Sequence, residues 1–321
     1  EQLAPLEGAT RIAGCRPCRT PGQGHARHPL PLDSATEQRI RGFAQRHGLT
    51  LNTLVQAAWA LLLARLTGKR SLCFGATVAG RPTELAGSEQ MLGLFINSLP
   101  VAVQLPAEQP LGDWLAALQV QNLQLREHEH SPLHDIQRWA GSAGEALFDS
   151  LLVFENYPLG EALKQAERGE LRLGLPQSHE FTHYPMTLAV LPGSRLELLL
   201  AYDRVHFDAD GIAQVEALLR QALDQVCGDP ARALGSLQLS SADEQARLAQ
   251  WNTPRQAFDA ARLLPALIAE QARLRPEAVA LVHGAERVSF SELEARANRL
   301  ANLLVSHGVQ PESRVGVSLE R

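Results

Sequence analysis

Apolar positions along this chain alternate between helical and strand-like spacing, with polar caps and glycines marking the boundaries. Ser34 is placed to cap a helix running to His47, with Gly48 as its stop. Thr50 caps the next helix, Leu51–Thr67, and Gly68 ends it. That second helix is apolar nearly all round (Leu54, Val55, Ala58, Trp59, Leu61, Leu62), a pattern that predicts central burial. Residues 71–79 and 94–103 read as strands, and 110–129 as a long amphipathic helix with Trp114, Leu118 and Leu125 on its apolar side. Ser150–Phe154 reads as a short strand, and 186–191 and 196–202 as two strands around the turn Pro192-Gly193-Ser194. Asp208 caps a helix whose Ile212, Val215, Leu218, Leu219, Ala222 and Val226 share one face. Helices interleaved with strands predict a mixed α/β layer architecture.

A second, smaller pattern follows. Residues 240–251 and 263–274 are helical, 278–282 a strand, and His283-Gly284-Ala285 a turn. Ser289 or Ser291 opens a helix to Ser306, and 314–319 reads as a strand. This βαβ-like stretch has too few residues to bury a core of its own. The opening residues, rich in Pro, Gly, Arg and His and without periodicity, read as a connector. The chain opens Glu-Gln-Leu and closes on a strand-like run, so it is expected to be an internal piece of something longer.

The segment Met91-Leu-Gly-Leu-Phe-Ile-Asn97-Ser-Leu-Pro-Val-Ala-Val103 stands out. It is a buried-strand pattern with one amide in it, and a buried amide needs partners. Asn97 is therefore either a satisfied structural residue or a group turned toward a substrate channel. Gly75, Gly80, Arg81 and Pro82 follow the preceding strand, where glycine supplies unusual backbone angles in a turn.

Composition narrows the function classes. Hydrophobic residues make up 45% and charged residues 20%, as in a globular protein. The formal net charge of −5 argues against nucleic acid as the main partner. No apolar run reaches the roughly 18 residues of a membrane span, so no membrane partner is expected, and a cytoplasmic location is. Cys15 and Cys18 form a C-x-x-C pair with no second pair to complete a zinc site; with Cys73 and Cys227 they read as free thiols. His128, His130 and His134 with Glu129 and Asp135 look like a ligand cluster, but Pro132 interrupts the run and no metal site is expected.

With the segments in this order, the chain resembles a nonribosomal peptide synthetase at the junction of a condensation and an adenylation domain. LNTLVQAAWALLLARLTG and LCFGATVAGRP resemble the second half of a condensation domain, and MLGLFINSLPVAV its G-x-F-x-N-[TS]-L-P segment. HEHSPLHDIQ is similar to its H-x-x-x-P segment, and LFDSLLVFENYP to the block that follows. SSADEQARLAQWN resembles the interdomain linker, and LLPALIAEQARLRPEAVALV with VSFSELEARANRLANLL the first adenylation segments.

The resemblance implies an α/β fold: a chloramphenicol-acetyltransferase-like lobe with a mixed sheet and helices, then the incomplete beginning of an adenylate-forming domain. It divides the chain into a connector at 1–29, a condensation C-terminal lobe at 30–239, a linker at 240–262 and an adenylation start at 263–321. It implies amide-bond formation between carrier-bound thioesters, with phosphopantetheine on carrier domains upstream and downstream. ATP and Mg²⁺ would serve a complete adenylation domain. The same fold also serves epimerising and ester-forming relatives, and a docking module that only binds carriers is the other alternative.

The family's histidine motif, H-H-x-x-x-D-G, is absent, since no His-His pair occurs. No catalytic, cofactor-binding or metal residue is expected here; the chain by itself should be inactive, needing the N-terminal condensation lobe and the rest of the adenylation domain. The resemblance makes Gly80, Arg81 and Asn97 candidates for a crossing loop and tunnel wall. Glu155, Asn156 and Tyr157, which end a strand before Pro158, either line the channel or serve the turn. His206-Phe-Asp-Ala-Asp-Gly211 satisfies H-x-x-x-D-G, but Val205 replaces the first histidine, and Asp208 and Phe207 suit a helix cap and staple. The reading there is structural.

Overall fold

The computed structural model describes residues 3, 4, 6, 8–15, 18–80, 87, 91–142, 144–155, 181–253 and 263–319. The chain divides into two compact units, Glu1–Ala249 and Gln250–Arg321.

The first unit is built on a six-stranded mixed sheet. In chain order its strands are β1 (His25–Leu30), β2 (Ser71–Val78), β3 (Asn97–Gln104), β4 (Ser150–Phe154), β5 (Met186–Pro192) and β6 (Leu196–Asp203). They lie in the spatial order β1-β6-β5-β4-β2-β3. β4 runs parallel to β2 and β5, and the remaining neighbours are antiparallel.

Four helices build the core against this sheet: α1 (Ser34–His47), α2 (Leu51–Thr67), α3 (Leu111–Arg126) and α5 (Ala209–Val226). α4 (Leu133–Trp139) is short, and α6 (Ala242–Trp251) follows a 3₁₀ turn. α2 touches α1, α3, α5 and β2, which is why its apolar residues go all round. Leu54, Val55, Trp59, Leu62 and Leu63 are fully buried, each contributing roughly 1.5–3 kcal/mol of transfer free energy. Thr50 accepts from the Thr53 N–H at its start, and Gly68, at φ 72°, ends it.

Three boundaries differ from the sequence pattern. The cap of α1 is Asp33, whose carboxylate accepts from Thr36 N at 2.7 Å, rather than Ser34. β3 begins at Asn97 rather than at 94, because its partner ends at Val78 opposite Asn97; among the described residues no strand lies beside Leu94 and Ile96, which are exposed. β1, in the stretch expected to be a connector, is an edge strand: Ala26, His28 and Leu30 alternate inward, and His28 Nε2 meets Glu216 of α5 at 2.5 Å. Further upstream, Thr10 and Ile12 are buried; Thr10 accepts from Cys73 N, and Asp149 accepts from Ile12 and Ala13 N–H.

The opposite edge, β3, is closed by side chains. Pro100 lacks an N–H, Ser98 N–H donates to Asn97 Oδ1, and Gln121 and Trp114 of α3 donate to the carbonyls of Ala102 (2.6 Å) and Gln104 (2.9 Å). An edge treated this way offers little to another strand.

In the second unit, α7 (Leu264–Leu274) leads to a hairpin of β7 (Val279–His283) and β8 (Glu286–Ser289), then α8 (Phe290–Ser306). Gly284, at φ 58°, makes the hairpin turn, and Ser289 rather than Ser291 caps α8 by accepting from Glu292 N. β8, antiparallel to β7, is an added strand, and the expected βαβ-like pattern is not formed because its second strand, 314–319, is not in a ladder. Residues 314–319 are not in a strand; among the described residues no partner lies beside them to form a ladder. Leu264, Leu281, Val282, Leu300 and Leu303 are exposed.

Candidate functional site at the β2–β3 end of the sheet

β2 and β4 are parallel, so their C-terminal ends and the N-terminal end of β3 lie together at one end of the sheet. That register brings Gly80, Asn97 and Glu155 to the same end. Arg81, Asn156 and Tyr157 lie outside the described residues.

Gly80 follows β2 with φ 62°, in the left-handed region. A Cβ there would overlap the Phe95 carbonyl oxygen, so glycine is required by both angle and space. Its N–H donates to Glu129 Oε2 at 3.1 Å. Gly75, in mid-strand, is required for a different reason: a Cβ would lie 2.5 Å from the Phe148 ring.

Asn97 is half-buried, and its amide is committed to the backbone. Nδ2 donates to the carbonyls of Glu129 (2.9 Å) and Ser131 (2.8 Å), while Oδ1 accepts from Ser98 N at 2.9 Å. Two carbonyl partners use both amide hydrogens and fix the flip of the group. Glu155 sits where β4 ends, its N–H donating to Val190 O at 2.8 Å, so the β4–β5 ladder runs one residue past the strand.

Glu129 and Ser131, distant in sequence, also reach this end of the sheet. They belong to the turn between α3 and α4, closed by Glu129 N to Arg126 O and Ser131 N to His128 O. In the apparent His/Glu/Asp cluster around this turn, Glu129 holds the Gly80 N–H and Asp135 pairs with Arg138 and His134; among the described residues no group of three His, Cys, Asp or Glu side chains could hold a metal ion. The one available signal was the buried amide itself, which demanded partners without naming them.

The His206 run is a helix start. His206 is exposed, while Phe207 and Ile212 are buried in the same core as staple and fourth helical residue. Asp208 Oδ1 accepts from Gly211 N at 2.8 Å and Oδ2 from Arg19 N at 2.8 Å. Those N–H donors, Gly211 first, hold its carboxyl below the usual range. Asp149 goes the other way: burial pushes its carboxyl up against the opposing pull of the Ile12 and Ala13 N–H groups. The cavity beside His206, lined also by Cys15, Cys18 and Asp208, is about 20 Å³ and has room for about one water. A wider groove of about 480 Å³ runs between β3 and α3, where Trp114 and Gln121 already hold the strand edge.

In the second unit, Gly284 lies in a hairpin and Gly308 follows a helix, and neither opens a helix N-terminus where a phosphate would be held. The described residues there do not fit an ATP–Mg²⁺ site.

A family model described as "Condensation domain" matches residues 16–249, and one described as "AMP-binding enzyme" matches 268–321. The chain is 38% identical over 301 residues to one component of the linear gramicidin synthase of Brevibacillus parabrevis, covering 93% of this chain and 4% of that protein. It is 41% identical over 299 residues to another component of the same synthase, covering 92% and 6%. The chain thus spans only a small part of the relatives it matches. Among solved structures, a four-domain nonribosomal peptide synthetase bound to AMP and glycine matches with TM-score 0.67 at 20% identity, covering 96% of this chain and 24% of that one. The X-domain from teicoplanin biosynthesis matches with TM-score 0.57 at 24% identity, covering 74% and 55%. These two likenesses show the fold. The six-stranded lobe and the sequence match over residues 16–249 together establish that the chain belongs to the condensation-domain family of nonribosomal peptide synthetases, followed by the beginning of an AMP-binding segment.

Proposed function

We propose that this chain supplies one wall of a peptide-bond-forming site, as the C-terminal lobe of a condensation domain, in a larger cytoplasmic synthetase. The lobe takes in residues 16–249, β1 included, so it reaches past the expected 30–239 at both ends, and 268–321 is the start of an adenylation domain. The observation that carries the reading is the unbroken order of the two family matches, 16–249 then 268–321, along a chain 38% identical to part of a peptide synthase.

The reaction has an acceptor amine attack the donor thioester carbonyl. A C–N bond forms, a tetrahedral oxyanion appears, the C–S bond breaks, and the thiol leaves with the proton lost by the amine. This needs positioning, a group to take the amine proton, and donors for the oxyanion. Asn97 has both amide hydrogens on backbone carbonyls, so its part is to position rather than to donate to an oxyanion. His206 is exposed two residues before the Asp208 cap of α5 and takes no part in proton transfer. The proton-handling histidine therefore comes from the H-H-x-x-x-D-G motif of an N-terminal lobe, absent from these residues. Carrier domains bring both substrates as phosphopantetheine thioesters, and ATP with Mg²⁺ serves the completed adenylation domain.

The test is calorimetric binding of phosphopantetheinylated carrier to this chain joined to such an N-terminal lobe, followed by assay for a dipeptidyl thioester. Binding with product supports the reading. Saturable binding with no turnover would instead identify a carrier-docking module.

A further inference from the structure

The chain leaves β2 at Val78 and enters β3 at Asn97, and these two residues face each other across the ladder. Just outside that pair, both departures are tied to one turn. Gly80 N–H is held by the Glu129 carboxylate at 3.1 Å, and the Asn97 amide by the carbonyls of Glu129 and Ser131. Glu129 thus uses two separate atoms, one on the side chain and one on the backbone, to grip the two strands. Its carboxylate gives Gly80 a charge-assisted bond, stronger than a neutral acceptor would give. The turn has a fixed base, because α3 ends in backbone bonds up to His128 and Pro132 starts α4 immediately after Ser131.

Between Gly80 and Asn97, three apolar side chains are exposed: Leu92 at 102%, Leu94 at 90% and Ile96 at 49%. The Phe95 carbonyl packs so closely on Gly80 that no Cβ fits, so the grip on Gly80 also sets the backbone from which Leu94 and Ile96 project.

We infer that Glu129 is a positioning residue: its carboxylate on the Gly80 amide and its carbonyl beneath the Asn97 amide set the direction in which Leu92, Leu94 and Ile96 are presented. Its part in the reaction rests on the function proposed above; the grip itself does not.

The test compares wild type, Glu129→Gln and Glu129→Ala by amide hydrogen exchange on the 321-residue chain. Gln keeps an acceptor at the same reach, and Ala removes it. Glu129→Ala is expected to speed exchange of the Gly80 amide by about tenfold, with Gln, a neutral acceptor at the same reach, between Ala and wild type, and the amides of Leu72 and Phe74 in mid-β2 unchanged. An unchanged Gly80 amide in the Ala variant overturns the inference. So does equal acceleration of the Leu72 and Phe74 amides, which would mean a general loss of stability. If Glu129→Ala does not fold, Glu129→Asp, with a shorter reach, is read against the same expectation.

In the two-lobed domain, Glu129→Ala should lower kcat about tenfold at unchanged KM for loaded carrier, and Gln should recover part of it. Faster exchange with unchanged kcat overturns the positioning role while leaving the proposed function in place. Absence of product from the wild-type two-lobed domain removes the proposed function but not the exchange result.

Discussion

The Asn97 side-chain nitrogen donates to the Ser131 backbone carbonyl at 2.8 Å, joining the first residue of β3 to the turn that follows α3. With the parallel bond to Glu129 O at 2.9 Å, this ties two elements 32 and 34 residues apart in sequence through one amide. The tie explains why a polar residue interrupts an otherwise apolar run.

Asn97→Ala should therefore destabilise the first unit by about 2–3 kcal/mol, since two half-buried carbonyls and the Ser98 N–H lose partners. Asn97→Asp keeps an acceptor for Ser98 N but faces carboxylate oxygen toward two carbonyls, and should cost at least as much. Urea unfolding followed by tryptophan fluorescence reads both.

Gly80→Ala and Gly141→Ala form a matched pair. Both glycines have positive φ, 62° and 75°, but a Cβ on Gly141 meets nothing within 4 Å. Gly141→Ala should cost about 1 kcal/mol of backbone strain, and Gly80→Ala clearly more, because the Phe95 carbonyl must move. Equal midpoint shifts in thermal unfolding would contradict the close packing at Gly80.

Asp208 and Asp149 should respond to pH in opposite directions. The Asp208 carboxyl is held below its ordinary value of 3.8, so it adds stability above that pH and loses it as pH falls through the lowered value. The Asp149 carboxyl is raised by burial, so stability declines as pH rises from 3.8 through the raised value. Stability curves of Asp208→Asn and Asp149→Asn against wild type should diverge with these opposite signs in the acid range.

Thiol labelling should separate the four cysteines. Burial pushes the Cys227 thiol up to about 11 and Cys73 further still, so both should react only after unfolding. Cys15 is exposed and Cys18 half-buried, and these two should react in the native protein.

Legibility followed the source of each constraint. α2 could be read because its all-round apolar pattern, Thr50 and Gly68 are local and each has one physical meaning. β1 could not: His-Ala-Arg-His-Pro-Leu has no apolar alternation, and it becomes a strand because β6 and the distant Glu216 hold it. The start of β3 was misplaced because apolar character continues through Leu94 and Ile96, while the partner strand does not. At the candidate site, Gly80 and Asn97 were readable as unusual residues. Their shared partners were not, because the acceptors are chiefly backbone carbonyls, and a carbonyl leaves no mark in sequence.

The proposed wall of a condensation site leaves the proton-handling histidine to another lobe. Mass-spectrometric detection of dipeptidyl thioester on the acceptor carrier tests it most directly, using this chain alone and joined to an N-terminal lobe, with and without the second histidine of H-H-x-x-x-D-G changed to alanine. Product is expected only from the joined, unmutated protein, and unchanged when His206→Ala is added. Product from the chain alone, or its loss on His206→Ala, would contradict it.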